Sequence, residues 1–214
     1  MILLTNKLTY PMIQNFLLKL TDLVLRSKDE LNRMDAECGD GDFGTSMFVA
    51  FTNVQRTLQF TQGDDVGRVL MDVGQAVLTS AGGAAGPIFA TLFLEAGKVA
   101  KSKNELTLSE LAAMFESALL KIQQRGGARV GDKTLVDVLD PAVNSLRKSS
   151  AEDAPLKLAL EDAVKAARVG YEGTKNLVAR QGKARYLGEQ TVGRLDAGAY
   201  VTLMVFECLY AEVK

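Results

Sequence analysis

Four carboxylates lie close together between residues 31 and 47, where the sequence is LNRMDAECGDGDFGTSM. They are Asp35, Glu37, Asp40 and Asp42, with three glycines among and just after them. Carboxylates packed this closely repel one another, so the segment needs a counter-ion if it is to fold back on itself. Glycine allows positive φ angles and can turn several carboxylates toward one point. Because hard divalent cations prefer oxygen ligands, this stretch predicts a site for Mg²⁺ or Ca²⁺.

Three other interpretations of the acidic stretch compete with a metal site. A charge run in a loop is often only a solvated surface. An EF-hand needs a glutamate at its twelfth position, and counting from Asp40 places Phe51 there. An Asp-x-Asp phosphatase nucleophile belongs at the end of a buried strand, which MDAEC does not resemble. The glycine at every second residue favours a cation held by a few carboxylates, with positions left open for phosphate oxygens.

Two glycine-containing loops elsewhere could meet the acidic stretch. The small residues of 82–87 (GGAAGP) precede a predicted helix, and a helix N-terminus suits an anion such as phosphate. Close helix packing explains the same residues equally well. The segment 126–134 (GGARVGDKT) nearly fits a P-loop, but Asp132 is inserted before the lysine and no strand precedes it, so we reject that motif. Its glycines fit either a flat ligand such as a purine or a plain turn between helices.

A fourth polar segment, residues 180–198 (RQGKARYLGEQTVGRLDAG), mixes basic and acidic residues with several glycines. It is either a surface loop or, given its length, a lid over an anionic ligand.

The spacing of apolar residues is helical in most of the chain, and alternating β-branched runs do not occur. Thr107 and Glu110 form a capping-box pair ahead of one helix. We expect an all-α fold, a bundle or closed ring of about eight helices joined by short loops, in a single domain over residues 1–214. The predicted helical segments are 11–28, from 45 onward, 66–78, from 87 onward, 107–125, 134–149, 155–180 and 199–213.

Composition excludes several classes of function. The net charge of −1 offers no basic excess for binding nucleic acid. The chain contains no histidine, which excludes histidine acid–base catalysis, a Ser-His triad and a phosphohistidine on this chain. Cys38 and Cys208 imply no disulfide framework. With neither a signal-peptide pattern nor a membrane-length apolar run, we expect a cytoplasmic protein without a membrane partner.

Four motifs in the same order resemble a known family. They are D-x4-D-G-D-x-G-T, GGAAGP, GGARVGDKT-x2-D and GKARYLGE-x6-DAG, and they span nearly the whole chain. Together they resemble the ADP-binding L subunits of phosphotransferase-dependent dihydroxyacetone kinases, a domain that also forms the C-terminal part of ATP-dependent single-chain kinases. The resemblance implies a closed ring of eight antiparallel helices with the nucleotide and two Mg²⁺ ions at one end.

The resemblance also implies roles for particular residues. The metal ligands would be Asp35, Asp40 and Asp42, which leaves Glu37 out of the set. The residues contacting ADP or ATP would be Phe43, Gly44, Thr45, Ser46, Ala84, Ala85, Gly126, Leu135, Lys183, Asp196, Ala197 and Gly198. The chemistry of the residues agrees with these roles, since carboxylates suit the metal, helix starts suit phosphate, and glycine and leucine suit the adenine.

By the same resemblance, ADP would stay bound and be phosphorylated by a phosphohistidine on a donor M subunit. The γ-phosphoryl would then pass to dihydroxyacetone on a separate K subunit, and the chain itself would be a homodimer. This scheme agrees with the absence of histidine here.

Two positions depart from the family, which commonly has histidine at Phe43 and often serine at Ala85. Two alternatives therefore stay open: an ATP-dependent kinase component for another short ketose, or a nucleotide-state sensor that regulates a transcription activator.

Overall fold

The computed structural model describes residues 6–80, 82–83 and 85–213, and over these residues the chain forms nine α-helices. Two three-residue strands, β1 (Lys7–Thr9) and β2 (Glu105–Thr107), pair antiparallel, and 3₁₀ turns cover Thr174–Asn176 and Ala184–Thr191. The helices are α1 (Tyr10–Arg26), α2 (Lys28–Ala36), α3 (Phe43–Phe60), α4 (Val66–Ser80), α5 (Ala85–Val99), α6 (Leu108–Gly126), α7 (Val136–Ala151), α8 (Leu156–Gly173) and α9 (Ala197–Tyr210).

Eight of these helices form a closed ring. From α3 to α9 each helix packs against the next one in the chain, and α1 closes the ring by contacting both α3 and α9. Helix α2 stands outside this order and packs mainly against α3. The expected all-α ring of about eight helices is therefore confirmed, with α2 as an additional short helix.

The core lies inside the ring. It consists of apolar side chains that recur at the helical period and so lie on one face of each helix. Helix α9 is buried around most of its circumference, and its Phe206 ring lies 5.0 Å from that of Phe115 on α6. Each large apolar side chain buried in this way stabilises the fold by about 1.5–3 kcal/mol. Among the described residues, no helix is both long and apolar enough to cross a membrane.

The capping box predicted at the start of α6 is present. The Thr107 side chain accepts a hydrogen bond from the Glu110 amide, and the Glu110 carboxylate accepts one from the Thr107 amide at 2.8 Å. Lys103, 2.8 Å from that carboxylate, lowers the pKa of Glu110 to about 2.

Some boundaries differ from the sequence expectation. Helix α3 begins at Phe43 rather than near Thr45, and α8 ends at Gly173 rather than near residue 180. Helix α2 was not predicted because its sequence, KDELNRMDA, is mostly charged and buries only Leu31. The strand pair was not predicted because three-residue strands carry no periodic signal.

Candidate functional site

Every second helix of the ring, α3, α5, α7 and α9, begins at the same end of the molecule, which is the antiparallel arrangement. At this end lies an open cavity of about 250 Å³. Helix N-termini present free backbone N–H groups and a partial positive charge, so four of them around one cavity favour an anionic ligand. The expected location of a site at one end of the ring agrees with this geometry.

The three predicted metal ligands converge at one wall of the cavity. One carboxylate oxygen each from Asp35, Asp40 and Asp42 lies within 4.8 Å of the others. Asp35 is the half-buried member, and it accepts hydrogen bonds from the backbone N–H of Asp42 (3.1 Å) and of Phe43 (3.3 Å) at the start of α3. Gly41, with φ of 75°, makes the turn between them. Burial raises the pKa of Asp35 despite these hydrogen bonds.

Two cationic side chains from residues 183 and 194 meet this acidic wall. The ammonium of Lys183 forms an ion pair with Asp40 and lies 3.5 Å from Asp42. The hydrogen bond to Lys183 lowers the pKa of Asp40. Glu37, the fourth carboxylate of the sequence motif, instead faces Arg194 at 3.7 Å. Glu37 therefore lies outside the cluster of three.

The donor set fits a hard divalent cation. It consists of oxygen atoms alone, and Asp40 and Asp42 are exposed to the cavity, so coordination positions remain for water and for phosphate oxygens. Asp35 is held in place by the start of α3, which fixes the position of one ligand. The residues present thus suit Mg²⁺ better than a softer metal.

Another part of the lining is apolar and is shared with a second cavity of about 360 Å³. The rings of Phe43 and Phe89 contact each other at a centroid distance of 6.2 Å. Ile88 and Leu135 line both cavities, and Gly126 lines the second one. A side chain at Gly126 would come within 3.1 Å of Ile88, so glycine keeps this space open. An apolar slot beside a polar, cation-binding end suits a ligand with a flat base and a phosphate tail.

Helix α9 begins at the cavity with Asp196 as its N-cap. The Asp196 carboxylate accepts a hydrogen bond from the Ala199 N–H at 2.7 Å. Burial raises the pKa of Asp196 to about 6, against the opposing effects of that hydrogen bond and of the Lys133 charge. Ala197 and Gly198 complete the turn and line the cavity.

The loop before α7 is organised by a carboxylate. Asp137 accepts hydrogen bonds from the N–H of Gly131 at 2.5 Å and of Thr134 at 2.7 Å. The same loop turns Lys133 inward, so that it is buried and yet lines the cavity. Residues 177–193, here called the lid segment, follow α8 and its 3₁₀ turn and place Gln181, Gly182 and Lys183 at the cavity.

Most of the predicted site residues line these two cavities, but two do not. Gly44 is buried where α3 crosses α2, and Thr45 exchanges hydrogen bonds with Asn32 through its N–H (2.9 Å) and its hydroxyl (3.0 Å). Helix α3 begins two residues before Thr45, and the Thr45 hydroxyl accepts its hydrogen bond from Asn32 on α2. Ala84 lies outside the described residues. The predicted residues found in the lining are Asp35, Asp40, Asp42, Phe43, Ser46, Ala85, Gly126, Leu135, Lys183, Asp196, Ala197 and Gly198.

Sequence reasoning missed several lining residues. Lys133 was noted only as part of a failed P-loop match, and Gln181 was not singled out at all. Phe89 and Ile88, which follow Pro87 on α5, were not singled out either. Lys133 turns inward toward distant parts of the chain, and Phe89 contacts the distant Phe43. No local sequence pattern predicts contacts of this kind.

Comparison with known proteins identifies the family of the chain. The family model described as the DAK2 domain matches residues 37–211. The chain is 36% identical over 202 residues to the ADP-binding subunit DhaL of the PEP-dependent dihydroxyacetone kinase of Escherichia coli, covering 94% of this chain and 96% of the relative. It is 31% identical over 195 residues to the corresponding PTS-dependent subunit of Lactococcus lactis, covering 91% of this chain and 93% of the relative.

Longer kinases are also similar over one part of their length. The chain is 32% identical over 182 residues to the L-erythrulose 1-kinase of Mycolicibacterium smegmatis, covering 84% of this chain and 32% of that protein. A crystal structure of the dihydroxyacetone kinase from C. freundii in complex with AMP-PNP and Mg²⁺ matches with a TM-score of 0.70 and 25% identity, covering 94% of this chain and 34% of that one. By its matched domain, its ring of helices and its similarity to ADP-binding subunits, the chain belongs to the DAK2 domain family of dihydroxyacetone kinases and related phosphotransferases.

Proposed function

We propose that this chain is the nucleotide-binding subunit of a phosphoenolpyruvate-dependent dihydroxyacetone kinase and holds ADP with two Mg²⁺ ions as a bound cofactor. The observation that carries the proposal is the cluster of three aspartates beside four helix N-termini at one cavity. The degree of similarity supports the same branch, because the chain is 36% and 31% identical to ADP-binding subunits of PEP-dependent and PTS-dependent dihydroxyacetone kinases.

The residues of the cavity have separate tasks in this proposal. Asp35, Asp40 and Asp42 hold Mg²⁺, which supplies neutralisation of the phosphate charge when bound. The backbone N–H groups at the starts of α5 and α9 orient the phosphate oxygens. The apolar slot beside Leu135 and Gly126 receives the base. Positioning and electrostatic stabilisation account for most of the catalysis in phosphoryl transfer, so the chain needs no nucleophile of its own.

The absence of histidine has a consequence for partners. A phosphohistidine cannot lie within this sequence, and in this proposal the M subunit supplies it while the K subunit holds the ketose. The open cavity suits such successive docking, because the phosphate end faces solvent beside Asp40 and Asp42.

Reconstitution tests the donor. The purified chain is combined with K and M subunits from a related system, and dihydroxyacetone phosphorylation is measured with phosphoenolpyruvate or with ATP as the donor. We expect turnover with phosphoenolpyruvate that requires all three chains and catalytic amounts of ADP. The Asp40→Asn variant should fold and be inactive. Turnover with free ATP and no M subunit would contradict the phosphoenolpyruvate-dependent assignment.

A second candidate function is a component of an ATP-dependent kinase for another short ketose. The 32% identity to an L-erythrulose 1-kinase favours it, as does the phenylalanine at position 43. Replacing dihydroxyacetone by erythrulose in the same assay separates the two substrates. A sensor that only regulates transcription would show nucleotide binding without turnover in any combination.

A further inference from the structure

Lys133 is a buried lysine that makes no ion pair among the described residues. The residue is only 3% exposed. Its ammonium donates hydrogen bonds to two backbone carbonyls, those of Thr174 (2.6 Å) and Arg194. A buried ammonium is costly unless its donors are satisfied, so these two hydrogen bonds explain how the charge is tolerated.

The two carbonyls that accept these hydrogen bonds lie on either side of the lid segment, residues 177–193. Thr174 precedes the segment and Arg194 follows it. One side chain thus bonds to the backbone before the lid segment and to the backbone after it. Two further hydrogen bonds join the backbone before the lid segment to the backbone at its end. The Gly193 N–H donates to the Lys175 carbonyl at 2.7 Å, and the Asp196 N–H donates to the Thr174 hydroxyl at 3.3 Å.

The backbone conformation at Lys133 directs its side chain toward the two carbonyls. Its φ is 60°, in the left-handed region that residues with a side chain seldom occupy. The loop that imposes it is held by Asp137 through the N–H groups of Gly131 and Thr134. The loop also bonds directly to the lid segment, because the Asp132 carbonyl accepts a hydrogen bond from Arg180 N–H at 3.0 Å.

The electrostatic surroundings of Lys133 act on its charge in both directions, with burial as the larger effect. Burial lowers the pKa of Lys133, and the nearby groups Cys38, Asp196 and Asp137 act in the opposite direction, while Arg194 adds to the lowering. Asp196 is also the N-cap of α9 at the cavity. The ammonium therefore lies where the lid segment, the loop before α7 and the start of α9 meet.

We propose that Lys133 is a positioning residue for nucleotide retention, because its ammonium holds both ends of the lid segment together and so keeps Gln181, Gly182 and Lys183 over the cavity. The inference rests on the proposed nucleotide-binding function, but the clamp is a property of the nucleotide-free chain. Lys133 acts through the lid segment and is not itself the phosphate ligand.

Hydrogen exchange and ADP dissociation test this in three variants of the full chain. Lys133→Met removes the donors at similar volume, Lys133→Arg keeps charge and donors, and Lys175→Met makes the same chemical change at an exposed lysine beside Thr174. Exchange of amides in the lid segment is measured without nucleotide. ADP dissociation is then measured with saturating Mg²⁺.

We expect Lys133→Met to speed exchange in the lid segment and ADP dissociation, each by about ten- to a hundredfold, because two charge-assisted hydrogen bonds are lost. Exchange in α6 should stay unchanged, since a local clamp does not govern the ring. Lys133→Arg should recover part of both effects, and Lys175→Met should show neither.

Two results would overturn the proposal. Weaker ADP binding with unchanged exchange in the lid segment would make Lys133 a direct phosphate ligand. Equal exchange and equal ADP dissociation in Lys133→Met and the wild type would leave it no role in retention. If the wild type itself binds no ADP, the proposed function fails and the retention role with it, although faster exchange in Lys133→Met would still show the clamp.

The wild type provides a second test should Lys133→Met not fold. The amides of Arg180 and Gly193 lie at opposite ends of the lid segment, and a common clamp predicts that they open together with the same protection factor. Independent opening of the two ends would contradict the clamp.

Discussion

Lys183 and Asp40 form an ion pair that connects the lid segment to the cluster of three aspartates, across 143 residues of sequence. The same carboxylate is a predicted ligand of Mg²⁺, and the same ammonium is a predicted contact of the nucleotide. Asp40 can therefore bind either Lys183 or Mg²⁺, and Lys183 can contact either Asp40 or the nucleotide. A cation that binds Asp40 must displace the lysine, which is then available to a phosphate.

Removal of the lysine charge should affect metal and nucleotide in opposite directions. We expect Lys183→Met to bind Mn²⁺ about two- to fivefold more tightly without nucleotide, because exposed ion pairs are weak competitors. ADP binding at saturating Mg²⁺ should weaken, because a phosphate contact is lost. Titration calorimetry measures both, with Lys175→Met as the control. Weaker Mn²⁺ binding by Lys183→Met would contradict this account.

The crossing of α2 and α3 should be sensitive to one methyl group. A Cβ at Gly44 would lie 2.1 Å from the Lys28 carbonyl oxygen, so we expect Gly44→Ala to destabilise the chain by about 1–3 kcal/mol. Gly173→Ala is the matched control, since no atom lies within 4 Å of its Cβ and its φ is −59°. Chemical denaturation compares the two, and equal stability of both variants would show that the helices can separate without cost.

The raised pKa of Asp196 makes a prediction with a defined sign. Because the folded-state pKa is about 6 and the ordinary value about 3.9, the folded chain binds more protons between these values. The favourable contribution is complete below about pH 4 and is lost as the pH rises to about 6. Asp196→Asn keeps the cap oxygen without the charge.

We therefore expect Asp196→Asn to raise the melting temperature of the nucleotide-free chain at pH 7.5, with a gain of at most about 3 kcal/mol. At pH 4 the variant and the wild type should melt at the same temperature. Thermal denaturation at the two pH values measures this difference. A variant less stable than the wild type at pH 7.5 would show that the carboxylate charge supports the fold.

The phenylalanine at position 43 can be exchanged for the histidine that the family commonly has. Phe43→His should cost about 0.5–1.5 kcal/mol of stability, since the aromatic contact with Phe89 is weakened. Mg·ADP should bind more tightly below about pH 6.5, where the imidazolium carries a positive charge. Phe43→Leu is the control that loses the ring without gaining a charge. Tighter ADP binding by both variants would point to space in the cavity instead of charge.

The sequence predicts the elements with strong local signals. The Thr107–Glu110 capping box and the apolar period of α4 and α6 were recognisable because each depends on residues within a few turns. The cluster of three carboxylates was recognisable because its aspartates lie within eight residues of one another, and its role in metal binding stays a prediction.

Features that depend on distant partners escaped prediction. Helix α2 has little apolar signal and is held at α3 through Leu31 and through the hydrogen bonds of Asn32 with Thr45. The role of Lys133 depends on carbonyls 41 and 61 residues away. Such contacts form only when the ring closes, so the convergence of the three aspartates was predictable from the sequence, but the way the lid segment is held was not.

Magnesium-dependent ADP binding tests the central claim most directly. Titration calorimetry is carried out with ADP on the wild-type chain and on Asp40→Asn, each with Mg²⁺ and with a chelator. The account predicts saturable binding of one ADP per chain by the wild type only when Mg²⁺ is present, a matching rise in melting temperature, and loss of both in Asp40→Asn. Equally tight ADP binding by the wild type with the chelator, or by Asp40→Asn with Mg²⁺, would contradict the account.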